Sequence, residues 1–481
     1  MKQINLSGVS NILSKVLLIE SVFLVACIPV ALIFAEPAAP FTYSSIICSA
    51  SAFVLFLSSD RTRFYKLGIR DAFLSVTLSW VAISLFGVFP YVLSGSIPGF
   101  TNALFESTSG FTTTGSSILT DIEILPKSIL FWRSLSHWIG GIGIVLLVII
   151  LLPSIHAGVY RIFTLESSVR VKTHPRLRSM GIRILWIYVL LTFLEVVFLL
   201  IGKVTLYESV CHSFGTIATG GFSNRNSSVA DFSPYVQYVI MIFMLLAGMN
   251  FILHYYALKG NLKKVFKDEE LRFYLIVILL VGLVVALVLH FRLMLPFEKA
   301  FRDAYFQVIS LVTSTGFITS DYLKWPQFTW IIMFLLLFAG GSTGSTSGGI
   351  KMARHLLVLK NVKIMFRRYF DTHSISLIKL NGEVVPVHKN ISIITFVLIY
   401  LTIFIISTAL LTLLGVDPQS SAGSVATVMG GIGPGIGTVG PVNNFAHLPE
   451  AGKLLLIFLM VLGRLEIFTV LAIFMPGFWR V

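Results

Sequence analysis

Four short segments rich in Gly, Thr and Ser contain the residues of this sequence that could hold an ion. Their central glycines are Gly115, Gly220, Gly316 and Gly433, at intervals of 105, 96 and 117 residues, which indicates one unit present in four diverged copies. Such backbone is tolerated at membrane depth only where protein buries it or where it lines water. Four copies around one axis would present a ring of carbonyl oxygens, which can replace the hydration shell of an alkali cation.

Within each segment we predict that three consecutive residues form a selectivity filter. Glycine permits the backbone angles that direct successive carbonyl groups toward one axis. A run of small residues can also mediate helix packing, but four such runs in register within a fourfold repeat favour the filter. The predicted filter residues are Thr113, Thr114, Gly115, Ala218, Thr219, Gly220, Ser314, Thr315, Gly316, Gly431, Ile432 and Gly433.

The composition is that of a membrane protein with several spans. Hydrophobic residues make up 56% of the 481 residues and charged residues only 12%, and the mean hydropathy is +0.89. These values exclude a soluble domain. The apolar run near 16–34 is too long for the core of a signal peptide, so we interpret it as a retained first span. The three cysteines predict neither a disulfide framework nor a metal cluster.

The net charge of +14 is distributed as membrane topology requires, which argues against a nucleic-acid partner. Of the 36 Lys and Arg residues, 23 lie in the segments 60–70, 161–183, 259–272 and 351–389. Basic residues concentrate in cytoplasmic loops, so we predict that these four segments are cytoplasmic. Any basic excess beyond this would serve membrane lipid or an acidic partner.

Hydrophobic runs predict an all-α membrane protein with ten transmembrane helices. Each copy has the order span, short pore helix, filter segment, span, and a two-helix hairpin precedes the first copy. The even number of spans puts both termini on the same side, and the four basic segments place that side in the cytoplasm. The predicted units are the hairpin 1–69 and the repeats 70–180, 181–270, 271–389 and 390–481, the third with an interrupted second span.

Each pore helix is predicted from a segment too short to cross the membrane. The segments 101–112, 206–217, 301–313 and 420–429 contain about a dozen residues each. At 1.5 Å per residue this is about 18 Å, against roughly 30 Å of hydrocarbon. They must therefore re-enter from one face, and their C-terminal ends would carry partial negative charge toward the centre, which favours a cation there.

Together with the four filter segments, three further stretches make the chain resemble the bacterial TrkH type of the Trk/Ktr/HKT superfamily of potassium transporters. They are SHWIGGIGIV at 136–145, GGSTGSTSGGIKMARH at 340–355 and GRLEIFT at 463–469. The resemblance covers essentially the whole chain. It implies a potassium-selective filter when all four segments carry Gly, as they do here. The fourth segment, GGIGPG, departs most from the Thr-Gly pattern and would make the ring asymmetric.

The resemblance also implies partners, a location and a permeant ion. It implies a homodimer in the bacterial inner membrane that works with a TrkA-like cytoplasmic nucleotide-binding subunit. Potassium is the permeant ion, with no organic cofactor in this chain. The segment 351–389 carries eight Lys and Arg residues and continues the interrupted span, so we predict that it is the docking surface for the regulator.

The interrupted span has two interpretations. Gly340, Gly344 and Gly348 have the spacing of close helix packing, whereas five Gly in ten residues make a poor helix. The resemblance implies instead an intramembrane loop that blocks the pore and moves to open it. The gate residues would be Gly340, Gly341, Ser342, Thr343, Gly344, Ser345, Thr346, Ser347, Gly348, Gly349 and Arg464.

Few ionisable residues lie within the spans. Arg464 either projects into the pore near the gate, as the resemblance implies, or pairs with a helix-end carbonyl or Glu466. Residues two apart do not face each other on a helix, so we expect Glu466 to have another partner. We interpret Glu106 and Glu208 as carboxylates that favour the positive ends of pore helices.

Three classes of function remain to be compared. A channel-like potassium uptake protein is favoured, and the alternative is a secondary transporter that couples K⁺ to H⁺ or Na⁺. A membrane enzyme would need clustered Asp, Glu and His at the membrane edge, which this sequence lacks. We therefore predict that the chain is not an enzyme.

Overall fold

The computed structural model describes residues 4–59, 67–151, 174–371 and 377–479. Much of the predicted cytoplasmic segments 60–70 and 161–183 lies outside the described residues. The described part is predominantly helical, with one hairpin of two-residue strands, β1 (Lys379–Leu380) and β2 (Glu383–Val384). The helices are α1 Leu6–Ile33, α2 Ala39–Leu57, α3 Ile69–Phe86, α4 Phe89–Leu93, α5 Phe100–Phe111, α6 Lys127–Leu151, α7 His174–Ile201, α8 Leu206–Ile217, α9 Pro234–Ala247, α10 Phe251–Leu258, α11 Leu262–Lys267, α12 Glu269–Leu293, α13 Phe297–Val312, α14 Gln327–Leu336, α15 Met352–Phe370, α16 Val387–Leu413, α17 Pro418–Gly430, α18 Glu450–Arg464, α19 Ile467–Phe474 and α20 Pro476–Trp479.

Several of these helices have the length and apolar composition of membrane spans. Within the described residues six qualify, or up to eight if each of two bent pairs counts as one span. A mostly helical membrane architecture is therefore confirmed, while the count of ten spans in four repeats stays a prediction.

The four predicted pore helices are present as α5, α8, α13 and α17, with 12, 12, 16 and 13 residues. The third begins at Phe297, four residues earlier than predicted, with Pro296 as its N-cap residue. Buried apolar residues form two large clusters. One contains Phe111 and Met429, at the ends of α5 and α17, and the other contains Ile217 and Val312, at the ends of α8 and α13.

Two spans predicted as continuous, 234–257 and 453–475, are broken. Helices α9 and α10 meet at 102°, and α18 and α19 meet at 117°. At the first break Asn250 starts a new helix, because its side chain accepts the backbone N–H of Ile252 at 2.9 Å. At the second break Glu466 has a φ of 55°, which a continuous α-helix cannot accommodate. The hydrophobic pattern runs through both breaks, so hydropathy could not reveal them.

A third break, between α14 and α15, lies where the sequence predicts an interrupted span. Residues 337–351, between α14 and α15, are not helical, and Ala339 and Ile350 form an isolated parallel bridge. The helix-packing interpretation of Gly340, Gly344 and Gly348 is therefore wrong, because these glycines do not lie on one helix face.

Candidate functional site

Each pore helix ends in the same left-handed turn. The φ angles are 54° at Thr113, 53° at Thr219, 53° at Ser314 and 65° at Gly431. A left-handed conformation costs an L-residue about 1–2 kcal/mol, and three of these residues are not glycine. The surrounding structure must therefore impose the turn.

A backbone hydrogen bond that spans five residues closes each turn. Its length is 2.8–3.0 Å in all four copies. The bonds run from Thr114 to Ser109, from Gly220 to Gly215, from Thr315 to Ser310 and from Ile432 to Thr427. Since turn and bond coincide in every copy, they define which residues of the four segments are equivalent.

This equivalence corrects the second segment by one residue. Gly221, with a φ of 78°, corresponds to Gly115 at 79° and Gly316 at 84°. The sequence had placed Gly220 there, with Ala218 and Thr219 before it; the structural triad is Thr219, Gly220 and Gly221. The physical reason is that α8 ends at Ile217, and the position of that helix end, rather than the glycine pair itself, sets the register.

The four segments touch in a closed ring, which we call the filter ring. A Cβ atom added to the central glycine of any segment would clash with the backbone of the next segment. A Cβ added to the glycine of the fourth segment would clash with the first, which closes the ring. The contacts are Gly115 with Gly220, Gly221 with Thr315, Gly316 with the nitrogen of Gly433 at 2.7 Å, and Gly433 with the oxygen of Gly115 at 2.9 Å. Only glycine fits these positions.

The segment 340–349, which we call the central loop, lies against the end of the ring where the pore helices terminate. The Thr346 hydroxyl donates to the Ile217 carbonyl at 3.0 Å, and the Gly348 N–H donates to the Ser314 hydroxyl at 2.6 Å. A Cβ at Gly348 would also collide with the backbone of Gly430. The loop therefore contacts the ends of three of the four pore helices.

Comparison with known proteins assigns the family. A sequence model described as TrkH, cation transport protein, matches residues 39–479. The chain belongs to the TrkH family. It is thus a transport protein rather than an enzyme.

Relatives match over nearly the full length. The Trk system potassium uptake protein TrkH of Salmonella typhimurium is 35% identical and is matched over 94% of both chains. The protein of the same name from Escherichia coli K12 is 34% identical, with the same coverage. The crystal structure of the potassium transporter TrkH from Vibrio parahaemolyticus superposes with a TM-score of 0.90 at 31% identity, over 99% of this chain and 100% of that chain.

In this TrkH-family chain, polar side chains of the pore helices bond to the chain segments that directly follow the filter; we call these contacts braces. The Glu106 carboxylate accepts the Ile118 N–H at 3.0 Å, and His212 Nε2 lies 3.0 Å from the Ser223 hydroxyl. In the third copy Gln307 donates to the Thr319 hydroxyl at 3.5 Å. Glu106, His212 and Gln307 each lie seven residues before the left-handed residue of their copy, so three copies use the same helix position with different chemistry.

The brace of the first copy is a buried ion pair. Arg133 Nε donates to Glu106 at 2.6 Å, and both side chains are at most 2% exposed. The guanidinium also donates to the Ser223 carbonyl at 2.9 Å and stacks 3.5 Å from the ring of Phe222. Glu106 therefore does not serve the positive end of its helix, as the sequence had indicated; it links filter segments one and two. Glu208 does lie in the first turn of α8 and pairs with Arg225.

The fourth segment is held differently from the others. The Ser116 hydroxyl donates to the Gly433 carbonyl at 3.1 Å, and the buried Tyr322 hydroxyl donates to the Gly435 carbonyl at 2.6 Å. Both donors come from neighbouring copies. The asymmetry expected from GGIGPG thus extends to the groups that position this strand.

Arg464 joins the central loop to α6. Its guanidinium donates to the Thr346 carbonyl at 2.7 Å and to the Gly140 carbonyl at 2.8 Å. Glu466 pairs with Arg354 on α15, so the expectation of a separate partner is confirmed. The structure brings Arg464 and the loop residues into direct contact; whether they gate transport stays a prediction.

Sequence reasoning missed Glu270, which contacts the same loop. Its carboxylate accepts the Thr343 N–H at 2.5 Å. It was counted within a basic segment, and local sequence carries no signal for a partner 73 residues away. Among the described residues, no group of His, Cys, Asp and Glu could hold a metal ion, so the ligands available to a cation at the ring are backbone and hydroxyl oxygens.

Proposed function

We propose that this protein takes up potassium across the bacterial inner membrane through a channel-like pore. The observation that carries the proposal is the closed filter ring, in which the central glycine of each segment meets the backbone of the next segment. The relatives named as potassium uptake proteins support the choice of ion. We extend the proposal to the architecture of ten spans in four repeats, with both termini in the cytoplasm.

In this mechanism the ring replaces the water around potassium. Carbonyl oxygens of the four segments take the place of hydration waters. The pore helices α5, α8, α13 and α17 end at the ring, and the partial negative charge at their C-terminal ends stabilises a cation there. In this proposal potassium moves down its own electrochemical gradient, without coupling to a second ion.

The central loop acts as the gate, with Arg464 beside it. The loop contacts the ends of three pore helices, so an ion that leaves the ring on this side meets the loop. Arg464 adds a positive charge that opposes cation passage. Opening requires the loop to leave these contacts.

Regulation comes from a TrkA-like cytoplasmic nucleotide-binding subunit that docks on the segment 351–389, and the protein works as a homodimer. Helix α15, which follows the central loop, is the first part of this segment.

Neutralising Arg367, Arg368 and Lys379 together, with unchanged topology, should abolish regulator binding and nucleotide-stimulated flux. Full retention of both would eliminate this segment as the coupling element.

Reconstitution into liposomes tests the transport proposal. Ion flux and current are measured under gradients of K⁺, Na⁺, Rb⁺ and Li⁺. A current that reverses at the potassium equilibrium potential, independent of pH and sodium, is the expected result. A reversal potential that moves with the H⁺ or Na⁺ gradient would instead establish a coupled secondary transporter.

A further inference from the structure

Three consecutive acidic residues form the N-terminus of α12, and each of them bonds to a different partner. Asp268 caps the helix and accepts the Leu271 N–H at 2.8 Å. Successive residues on a helix point about 100° apart, so Asp268, Glu269 and Glu270 face different neighbours. Glu270 alone is buried, at 4% exposure, and it points toward the central loop.

Glu270 binds both sides of the break in the third repeat. One carboxylate oxygen accepts the Thr343 N–H at 2.5 Å and the Ala353 N–H at 3.1 Å. Thr343 belongs to the central loop, and Ala353 lies in the first turn of α15, where backbone N–H groups have no partner within the helix. A carboxylate is the preferred acceptor at such a helix end. One side chain thus ties the loop to the helix that follows it.

Other contacts link the loop to the break between α9 and α10. Ser342 N–H donates to the Gly248 carbonyl at 2.8 Å, and the Phe251 N–H donates to the Gly344 carbonyl at 3.1 Å. Both of these bonds join backbone groups only, whereas Glu270 reaches the loop from α12 through its side chain. If the loop moves, Glu270 must release it.

We propose that Glu270 is a positioning residue that holds the central loop against the filter ring, and that its helix end transmits movement of the 379–384 hairpin to the loop. This inference rests on the proposed gating function. The Asn381 side chain accepts the Glu269 N–H at 2.7 Å and donates to Asp268 at 2.8 Å. Glu269 also pairs with Lys360 on α15, and Lys360 donates to the Lys379 carbonyl at 2.7 Å.

The hairpin, α15 and the N-terminus of α12 therefore form one connected unit. Displacement of the hairpin would pull on Asp268 and Glu269, and Glu270 follows them in the same helical turn. The segment proposed to receive the regulator thus has a second connection to the loop, besides the chain continuity through α15.

The test uses the full chain in liposomes and measures basal uptake of radioactive rubidium without any regulator. Glu270→Ala should raise basal uptake about 5- to 30-fold, the factor that corresponds to a loss of one or two kcal/mol from the closed state. Glu270→Gln keeps an acceptor oxygen and should give a smaller rise. The K⁺/Na⁺ ratio should not change, because Glu270 does not contact the ring. Glu298→Ala is the matched control, since that glutamate also lies in a first helical turn but is 58% exposed.

A second measurement reports on the loop without transport. The three native cysteines are buried, so Ser345→Cys gives a single reporter for a water-soluble thiol reagent. Labelling should become faster when Glu270→Ala is added.

Wild-type uptake together with wild-type labelling would overturn the proposal. If Glu270→Ala does not yield a monodisperse protein, labelling of the Glu270→Gln variant decides in the same way. A wild-type protein that moves neither K⁺ nor Rb⁺ would refute the transport function, while the labelling result would still decide the tether.

Discussion

The filter ring and the central loop consist largely of the same residue types, Gly, Ser and Thr, but different interactions hold them. Each filter segment is fixed by a turn and a backbone bond to its own pore helix, and this pattern recurs four times. The central loop occurs once, and its contacts come from distant elements, including Glu270, Ser314 and Arg464. A structure held locally and repeatedly resists displacement, whereas one held by scattered single contacts can be released.

Removing part of the loop should have the largest effect on flux. Deleting residues 344–346 removes the Thr346 contacts to Ile217 and Arg464. Each net hydrogen bond contributes about 0.5–1.5 kcal/mol and bonds to charged groups about 1.5–3 kcal/mol, so basal flux should rise at least about tenfold. Flux assays in liposomes measure this.

A variant of constant length separates the loss of contacts from the loss of bulk. It replaces Ser345, Thr346 and Ser347 with alanine and should give a smaller increase. If every correctly inserted deletion is inactive or behaves as wild type, the loop does not close the pore.

The corrected register of the second segment predicts unequal effects at two adjacent glycines. Gly221→Ala forces a Cβ into the Thr315 carbonyl at a φ of 78°. It should lower the K⁺/Na⁺ permeability ratio at least about tenfold, since the left-handed angle alone costs about 1–2 kcal/mol. In Gly220→Ala the new Cβ meets the His137 side chain at 2.6 Å instead, and the loss of selectivity should be smaller. Reversal potentials in mixed K⁺ and Na⁺ measure both, and the opposite order would restore Gly220 as the central residue.

The buried brace of the filter predicts a loss of stability. Glu106→Gln leaves the Arg133 charge without its counterion in a buried site, which costs about 3–5 kcal/mol. Glu208→Gln is the matched control, because the side chain of its partner Arg225 is 33% exposed and such pairs contribute about 0–1 kcal/mol. Apparent unfolding midpoints in detergent should fall much further for Glu106→Gln. Equal shifts in the two variants would show that the buried pair does not stabilise the filter.

The smallest of these effects is expected at Arg464. Arg464→Ala removes the one hydrogen bond from this arginine to the central loop, a bond from a charged group worth about 1.5–3 kcal/mol, but leaves the other loop contacts in place. Basal flux should increase several-fold to about tenfold with an unchanged K⁺/Na⁺ ratio. Lys453→Ala is the control, because Lys453 is a buried cation on the same helix that bonds Asn102 and Ala446 instead of the loop. A folded Arg464→Ala protein with wild-type flux would assign the arginine a structural role only.

Local patterns in the sequence were sufficient for the class of protein and the parts of the filter. Hydropathy and run length identify spans and short pore helices because these depend on neighbouring residues alone. The recurrence of Gly with Thr and Ser located the four segments that meet in the ring. The break between α14 and α15 was predictable for the same reason, since glycine-rich sequence disfavours a helix wherever it occurs.

The tertiary structure decided what depends on residues distant in the chain. The choice of Gly221 over Gly220 follows from where α8 ends and which backbone the glycine meets. The breaks at Asn250 and Glu466 lie in apolar sequence whose pattern is continuous. Glu106 bonds Arg133, Glu270 bonds Thr343 and Arg464 bonds Gly140, over 27, 73 and 324 residues of chain. Pairing over such distances is set by packing, which no local pattern encodes.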